Sequence, residues 1–210
     1  MPLPDAPHPT VALPELPGAF RPRGGTAASR ALGRLVLRLS RFRIVGAFPD
    51  VPHMVCVVAP HTSNWDGVVG LAAVMALGLR VRFLAKHSLF RGPLGWALRA
   101  LGGIPVDRAA PGDLVAQVAA AARSDGRLLL GVTPEGTRRR VDRWKTGYHR
   151  IARALGAPVV LVKIDWGRRE VGPFATVLTT PDAEADTRAI RRRFADVRGR
   201  HPSNETPLPA

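Results

Sequence analysis

A single cysteine, Cys56, stands among the 210 residues of the chain. An internal disulfide is therefore excluded, and because Cys56 falls within an apolar run it reads as a core side chain in a reducing compartment. Long apolar runs are missing as well. The longest without a charge, Gly67 to Leu79, has 13 residues, well short of the roughly 20 that a membrane-spanning helix needs. The opening Met1-Pro2-Leu3-Pro4-Asp5 has neither the cationic segment nor the apolar stretch of a signal peptide, so a cytoplasmic location is expected. No G-x-S-x-G elbow occurs, which speaks against a Ser-His-Asp hydrolase. Zinc-finger spacing and aromatic-interleaved RNA-binding blocks are absent, so no nucleic-acid partner is expected. Nor do His, Cys and acidic residues cluster at metal-ligand spacing.

Acidic residues are scarce too: 16 against 31 basic ones, a net charge of +15. Such an excess favours anionic partners, whether nucleic acid, lipid headgroups or phosphorylated small molecules. Arginine supplies 28 of the 31, so their placement carries more information than their number. The apolar share of 46% and the length suit one domain with a sizeable core. Residues 1–24 hold seven prolines and no apolar period, which predicts a flexible leader. Residues 201–210, with Pro202, Pro207 and Pro209, read as a flexible tail. Between them, residues 25–200 form the expected domain.

Within that domain the first periodic stretch, Ala27 to Phe42 in the segment 25–43, sets Leu32, Leu35, Val36, Leu39 and Phe42 at helical spacing. Arg30, Arg34, Arg38 and Arg41 lie along another face. This is a basic amphipathic helix, read either as an ordinary surface helix or as one lying at a membrane interface with its arginines on lipid phosphates. Beyond it, apolar runs alternate with helical patterns. Strands are expected at Val55–Val58, Val81–Ala85, Ile104–Val106, Leu128–Val132, Val159–Ile164 and Ala175–Thr179. Helices are expected at Asn64–Leu77, Pro93–Leu101, Asp113–Ser124, Gly147–Leu155 and Asp186–Arg198. Continuous apolar strands between helices predict an α/β fold, a largely parallel mixed sheet flanked by helices, with active residues at the strands' carboxyl ends.

Two motifs fall at such ends. In His61-Thr62-Ser63-Asn64-Trp65-Asp66 an imidazole follows a buried strand and a carboxylate occupies the next helix's first turn. On a continuous helix the two would diverge by about 140°; across a strand-to-helix turn the carboxylate can take a hydrogen bond from one ring nitrogen and leave the other free to accept a proton. The same residues also fit a capping box, in which Asp66 merely caps the helix. In Thr133-Pro134-Glu135-Gly136-Thr137-Arg138, Gly136 permits close backbone approach, while Thr137 and Arg138 offer phosphate donors that Glu135 could orient. The bland reading is a turn held by a local Glu-Arg pair. Arg139, Arg140, Arg143 and Lys145 read as background field. His87 and His149 adjoin no carboxylate at useful spacing and read as surface or pocket-wall residues.

These two motifs, with Lys86-His87-Ser88-Leu89-Phe90, Gly103-Ile104-Pro105-Val106-Asp107-Arg108 between them and Ala157-Pro158-Val159-Val160-Leu161-Val162 after them, resemble the four signature blocks of the glycerolipid acyltransferases, the family that contains 1-acylglycerol-3-phosphate acyltransferase. The resemblance covers roughly residues 30 to 180. It departs where many relatives carry Glu at the place of Ser88 and Ser at the place of Arg139, which bears on the acceptor. What it implies is acyl transfer from acyl-CoA or acyl-carrier protein to a hydroxyl of a lysolipid, with no cofactor. His61 would be the general base and Asp66 its partner. Glu135, Gly136, Thr137 and Arg138 would hold the acceptor phosphate, with Lys86 and Arg108 as further cations. Trp65 and Trp96 are candidates for an acyl tunnel. The protein would attach to anionic lipid on the cytoplasmic face, peripherally or monotopically. The alternatives are an acyltransferase for another lysolipid, such as an amino-acid-containing one, and a non-catalytic basic membrane module.

Overall fold

The computed structural model describes residues 25–106 and 114–209. A seven-stranded sheet runs through its middle in the order β1-β7-β6-β2-β5-β3-β4. The strands are β1 Arg43–Ile44, β2 His53–Ala59, β3 Val81–Lys86, β4 Gly103–Val106, β5 Leu128–Val132, β6 Val159–Asp165 and β7 Glu170–Val177. Every pairing is parallel except the β6–β7 hairpin. The helices are α1 Ala27–Leu39, α2 Asn64–Leu77, α3 Gly92–Ala100, α4 Leu114–Asp125, α5 Gly147–Leu155 and α6 Ala183–Arg193.

The central strands read as unbroken apolar runs because both faces are covered. Val55, Val57, Leu128, Leu130, Val159 and Leu161 pack with Val118 of α4, Ile151 and Ala152 of α5, and Ile190 of α6. The intervening Met54, Cys56, Leu129, Val160 and Val162 form a core on the other face, where α2 adds Val69, Ala72 and Ala73 and α1 adds Leu37. Each fully buried Val, Leu, Ile or Met among them contributes roughly 1.5–3 kcal/mol. Burial also pushes the Cys56 thiol far up, so it is an inert core residue. α1 lies so close to α2 that a Cβ at Gly33 would come within 2.6 Å of the Ala72 carbonyl oxygen. That contact buries Gly33 and Leu37 and turns Leu32, Leu35 and Leu39 outward.

Three expectations shift. β7 begins at Glu170, five residues before the expected Ala175. Gly172-Pro173 sits within the strand where the register with β6 slips between Leu161 and Val162, a bulge that accommodates a proline. α6 starts at Ala183 because Asp182 caps it, accepting the N–H groups of Glu184 and Ala185, and it ends before Phe194. The last segment, expected as a flexible tail, is packed down: residues 202–204 form a 3₁₀ turn, and Arg191 donates to the Pro207 carbonyl.

Candidate active site

β2 ends at Ala59, and His61 follows it after Pro60, at the carboxyl edge of the sheet. Ser63 is the N-cap of α2, accepting the Trp65 N–H, while Asp66 reaches back to the N-cap backbone to complete a capping box. Its Oδ2 accepts the N–H groups of Thr62 and Ser63, both at 2.8 Å, and lies 3.5 Å from Nδ1 of His61. One carboxylate therefore caps the helix and faces the His61 ring at the same time. The remaining oxygen, Oδ1, accepts the indole N–H of Trp166 at 2.7 Å. Burial pushes the Asp66 carboxyl up, but the donors from His61, Trp166, Ser63 and Thr62 outweigh it and hold the group below its ordinary value. It stays an anion throughout the neutral range.

The imidazole is placed differently from its partner. Its side chain is 18% exposed while that of Asp66 is sealed, and both line a cavity of about 750 Å³. With Nδ1 turned to Asp66, Nε2 has no partner among the described residues. Most of the wall is apolar: Val58, Gly70, Ala73, Val74 and Leu77 from β2 and α2, and Val162 and Ile164 from β6. The volume falls within the roughly 300–1,000 Å³ of small-molecule pockets.

β5 delivers the second motif to the same edge, but its residues diverge. Glu135 turns inward and is buried. Its Oε2 accepts the His61 N–H at 2.7 Å, and its Oε1 faces the Thr206 hydroxyl at 3.4 Å. Burial raises its carboxyl above the ordinary value, against the lowering effects of the His61 N–H and of Thr206. The expected Glu135–Arg138 contact does not form. Arg138 is exposed and has no hydrogen-bond or ion-pair partner among the described residues, and the cavity wall does not include it. Gly136, at φ +68°, does line the cavity. The space a Cβ would take there is bounded by Lys145, whose Nζ would lie 3.0 Å away. Lys145 itself lines the cavity, tied by its N–H to the Pro134 carbonyl. The Thr137 hydroxyl accepts the Arg139 N–H. Lys86 closes β3, in register with Val106, and Arg108 lies outside the described residues.

Sequence reasoning thus missed Lys145, dismissed within a basic run, and Trp166, which follows β6 and lies 100 residues from the carboxylate it meets. Only the tie to Pro134 picks Lys145 out of that run, and it is not visible in one dimension. Trp65 and Trp96 do not line the cavity; both point to solvent. His149 does have a carboxylate partner, Asp186, at 3.0 Å, with both side chains buried. Among the described residues no group of three metal-ligating side chains comes together, and no helix is long and apolar enough to cross a membrane.

A family model described as Acyltransferase matches residues 35–165. Among solved structures, the chain is similar to the 1-acyl-sn-glycerophosphate (LPA) acyltransferase PlsC from Thermotoga maritima, with a TM-score of 0.56 and 18% identity over 79% of this chain and 75% of that one. At that identity the likeness is one of fold. No curated protein matches the chain.

Proposed function

Since this chain belongs to the Acyltransferase family, we propose that it moves a fatty acyl group from acyl-CoA or acyl-carrier protein to the hydroxyl of a lysolipid such as 1-acylglycerol-3-phosphate, with His61 as general base. The observation that carries this reading is an accessible imidazole on the wall of an apolar cavity, backed by a sealed, ionised carboxylate. Nε2 takes the proton of the acceptor hydroxyl as its oxygen attacks the thioester carbonyl. Asp66 stabilises the imidazolium that forms. The tetrahedral oxyanion then collapses, the carbon–sulfur bond breaks, and the departing thiolate recovers the proton. A base so placed contributes about 10²–10⁴-fold. The acyl chain lies along the apolar wall.

Gly136, Thr137, Arg138 and Lys145 are proposed to meet the acceptor phosphate, with Lys86 and Arg108 as further candidate cations. Glu135 is given a different role: turned inward, it braces the backbone of His61. α1 and α2 present Leu32, Leu35, Leu39, Trp65, Val68 and Leu71 as exposed apolar residues beside Arg34 and Arg38. That surface suits peripheral attachment to anionic lipid, at about 1 kcal/mol for each basic residue near it.

A second reading keeps the reaction and changes the acceptor to a lysolipid without phosphate. It is favoured by Arg138, which stands off the cavity wall. One assay separates these: purified protein with labelled acyl-CoA or acyl-carrier protein and a panel of lysolipids, products identified by mass. A phosphate-bearing product whose formation is lost in Arg138→Glu supports the first reading. A product from a phosphate-free acceptor, indifferent to Arg138→Glu, supports the second. Absence of any transfer while the protein still binds anionic vesicles would leave only a membrane-binding module.

A further inference from the structure

The carboxylate behind His61 has two oxygens, and they are held by different parts of the chain. Oδ2 is held locally, by the backbone of Thr62 and Ser63. Oδ1 is held by the Trp166 indole, from the turn between β6 and β7. The two backbone donors alone would leave the carboxylate free to pivot about Oδ2. A second donor on Oδ1 fixes its plane, and with it the direction from which Oδ2 faces Nδ1 of His61.

Trp166 is itself held on several sides. Its backbone N–H donates to the Arg198 carbonyl, and Phe42 meets its ring edge-on at 5.0 Å between centroids. The guanidinium groups of Arg169 and Arg200 each lie 4.9 Å from the ring centroid, and Arg200 also stacks on Trp65 of α2 at 5.1 Å. Cations over an indole face draw electron density from the ring. That makes the N–H a stronger donor to an anion. A tryptophan held only for packing has no need of this arrangement, since a phenylalanine would satisfy Phe42 and both arginines.

We propose that Trp166 is a positioning residue for acyl transfer: its indole N–H orients Asp66, and through it His61, with Arg169 and Arg200 holding the indole in place. The proposal rests on the base role given to His61 above. Trp166→Phe keeps a ring for the arginines and removes the donor. Loss of one hydrogen bond to a charged group predicts a kcat about tenfold lower, with KM for both substrates within about twofold. Replacing Trp166 by benzothienylalanine, which keeps the bicyclic shape and lacks only the N–H, should reproduce that loss and serves if the phenylalanine variant folds poorly. In an Asp66→Ala background the Trp166→Phe change should add nothing further, because a residue acting through Asp66 has no path without it; a merely structural residue would multiply the defects.

A substrate-free measurement completes the test. The chain has four tryptophans, so four indole N–H signals appear in ¹⁵N-labelled protein, and the Trp166 signal is the one lost in Trp166→Phe. In Asp66→Ala it should move upfield and exchange faster with water. In Trp166→Phe the His61 ring nitrogens should change from one tautomer to a mixture. Unchanged indole and imidazole signals, or full kcat in the benzothienylalanine protein, would overturn the proposal. If His61→Ala itself keeps turnover, the base role falls and this role with it. If His61→Ala is inactive while the benzothienylalanine protein matches wild type, only the role of Trp166 falls.

Discussion

Two histidine–aspartate pairs in this molecule share their chemistry and differ in everything around it. His61 and Asp66 are five residues apart, joined across a strand-to-helix turn, with 3.5 Å between Nδ1 and Oδ2 and the imidazole open to a cavity. His149 and Asp186 are 37 residues apart and 3.0 Å from contact, with both side chains sealed between α5 and α6. Asp186 also accepts the N–H and the hydroxyl of Thr180, so the pair ties the chain before α6 to α5. Neither longer distance nor local spacing is what qualifies a histidine as a base. Among the described residues, the first pair leaves a ring nitrogen unpartnered on the wall of a cavity large enough for substrate; the second does not line that cavity. One pair is suited to chemistry, the other to holding two helices together.

Removing the two imidazoles should therefore produce opposite phenotypes. His61→Ala is expected to cost about 10²–10⁴-fold in kcat with little change in melting temperature, since only the rim of the cavity is altered. Turnover within a few-fold of wild type would break the comparison at its functional end. His149→Ala should leave kcat within about twofold and cost about 2–4 kcal/mol of stability, because Asp186 loses its only imidazole donor in a buried site. For a chain of this length each kcal/mol lowers the melting temperature by about 2–4 °C, so thermal melts and steady-state rates on the two variants read the contrast directly.

A third substitution sharpens it between those regions. Tyr148, next to His149, shares its hydroxyl with Thr187 at 2.9 Å in the interior, and burial pushes the phenol up to about 12. Thr187→Val strands that hydroxyl and should cost about 1–3 kcal/mol, again without effect on kcat.

What could be read from the chain in advance follows the same division. The sheet was legible because its strands, covered on both faces, are unbroken apolar runs, and His61 with Asp66 was legible because five residues and one turn join them. β1 was not, since the two residues Arg43 and Ile44 carry no period and exist as a strand only through their pairing with β7. The start of β7 was masked by Gly172-Pro173, whose composition signals a turn and whose place is a bulge. His149 reads as solitary because Asp186 is on another helix, and Trp166 carries no signal in the sequence because the carboxylate it meets is 100 residues away. Arg138 and Lys145 show the limit most plainly. Both are cations near one motif, and only the tertiary path from Pro134 to Lys145 decides which one reaches the cavity. The prolines of the terminal segment signal a flexible tail, yet its polar atoms have partners: His201 N–H donates to Thr62, and Glu205 accepts the Gly199 N–H.

Glu135 gives a smaller effect with a definite direction. Its carboxyl is raised by burial, so in the folded protein it binds its proton more tightly than in the unfolded chain. A raised acid lowers stability as pH climbs from the unfolded value of about 4.3 through the folded one, and contributes nothing below both. Glu135→Gln keeps a carbonyl for the His61 N–H and removes the buried charge. The variant is expected to be at least as stable as wild type at pH 7, by up to about 1 kcal/mol, with the gap closing as pH is lowered toward about 4. Melting curves across that range check it. A variant less stable than wild type at pH 7 would show that the charge itself braces the His61 loop.

The smallest effect is expected at Thr206, and it closes the comparison with Thr187. Both threonines donate or share a hydroxyl hydrogen bond, and valine is the same shape in each case. At Thr206 the contact to Glu135 is 3.4 Å and only partly buried, at the outer limit of a hydrogen bond, and Glu135 keeps its 2.7 Å bond to the His61 N–H. Thr206→Val should therefore cost about 0.5 kcal/mol or less and leave kcat within about twofold. Denaturant unfolding of the two threonine variants side by side measures the difference that burial makes to one and the same hydroxyl. A loss at Thr206 equal to that at Thr187 would mean that the terminal segment clamps the active-site edge as firmly as α6 clamps α5, and the open site would then owe its shape to the last residues of the chain.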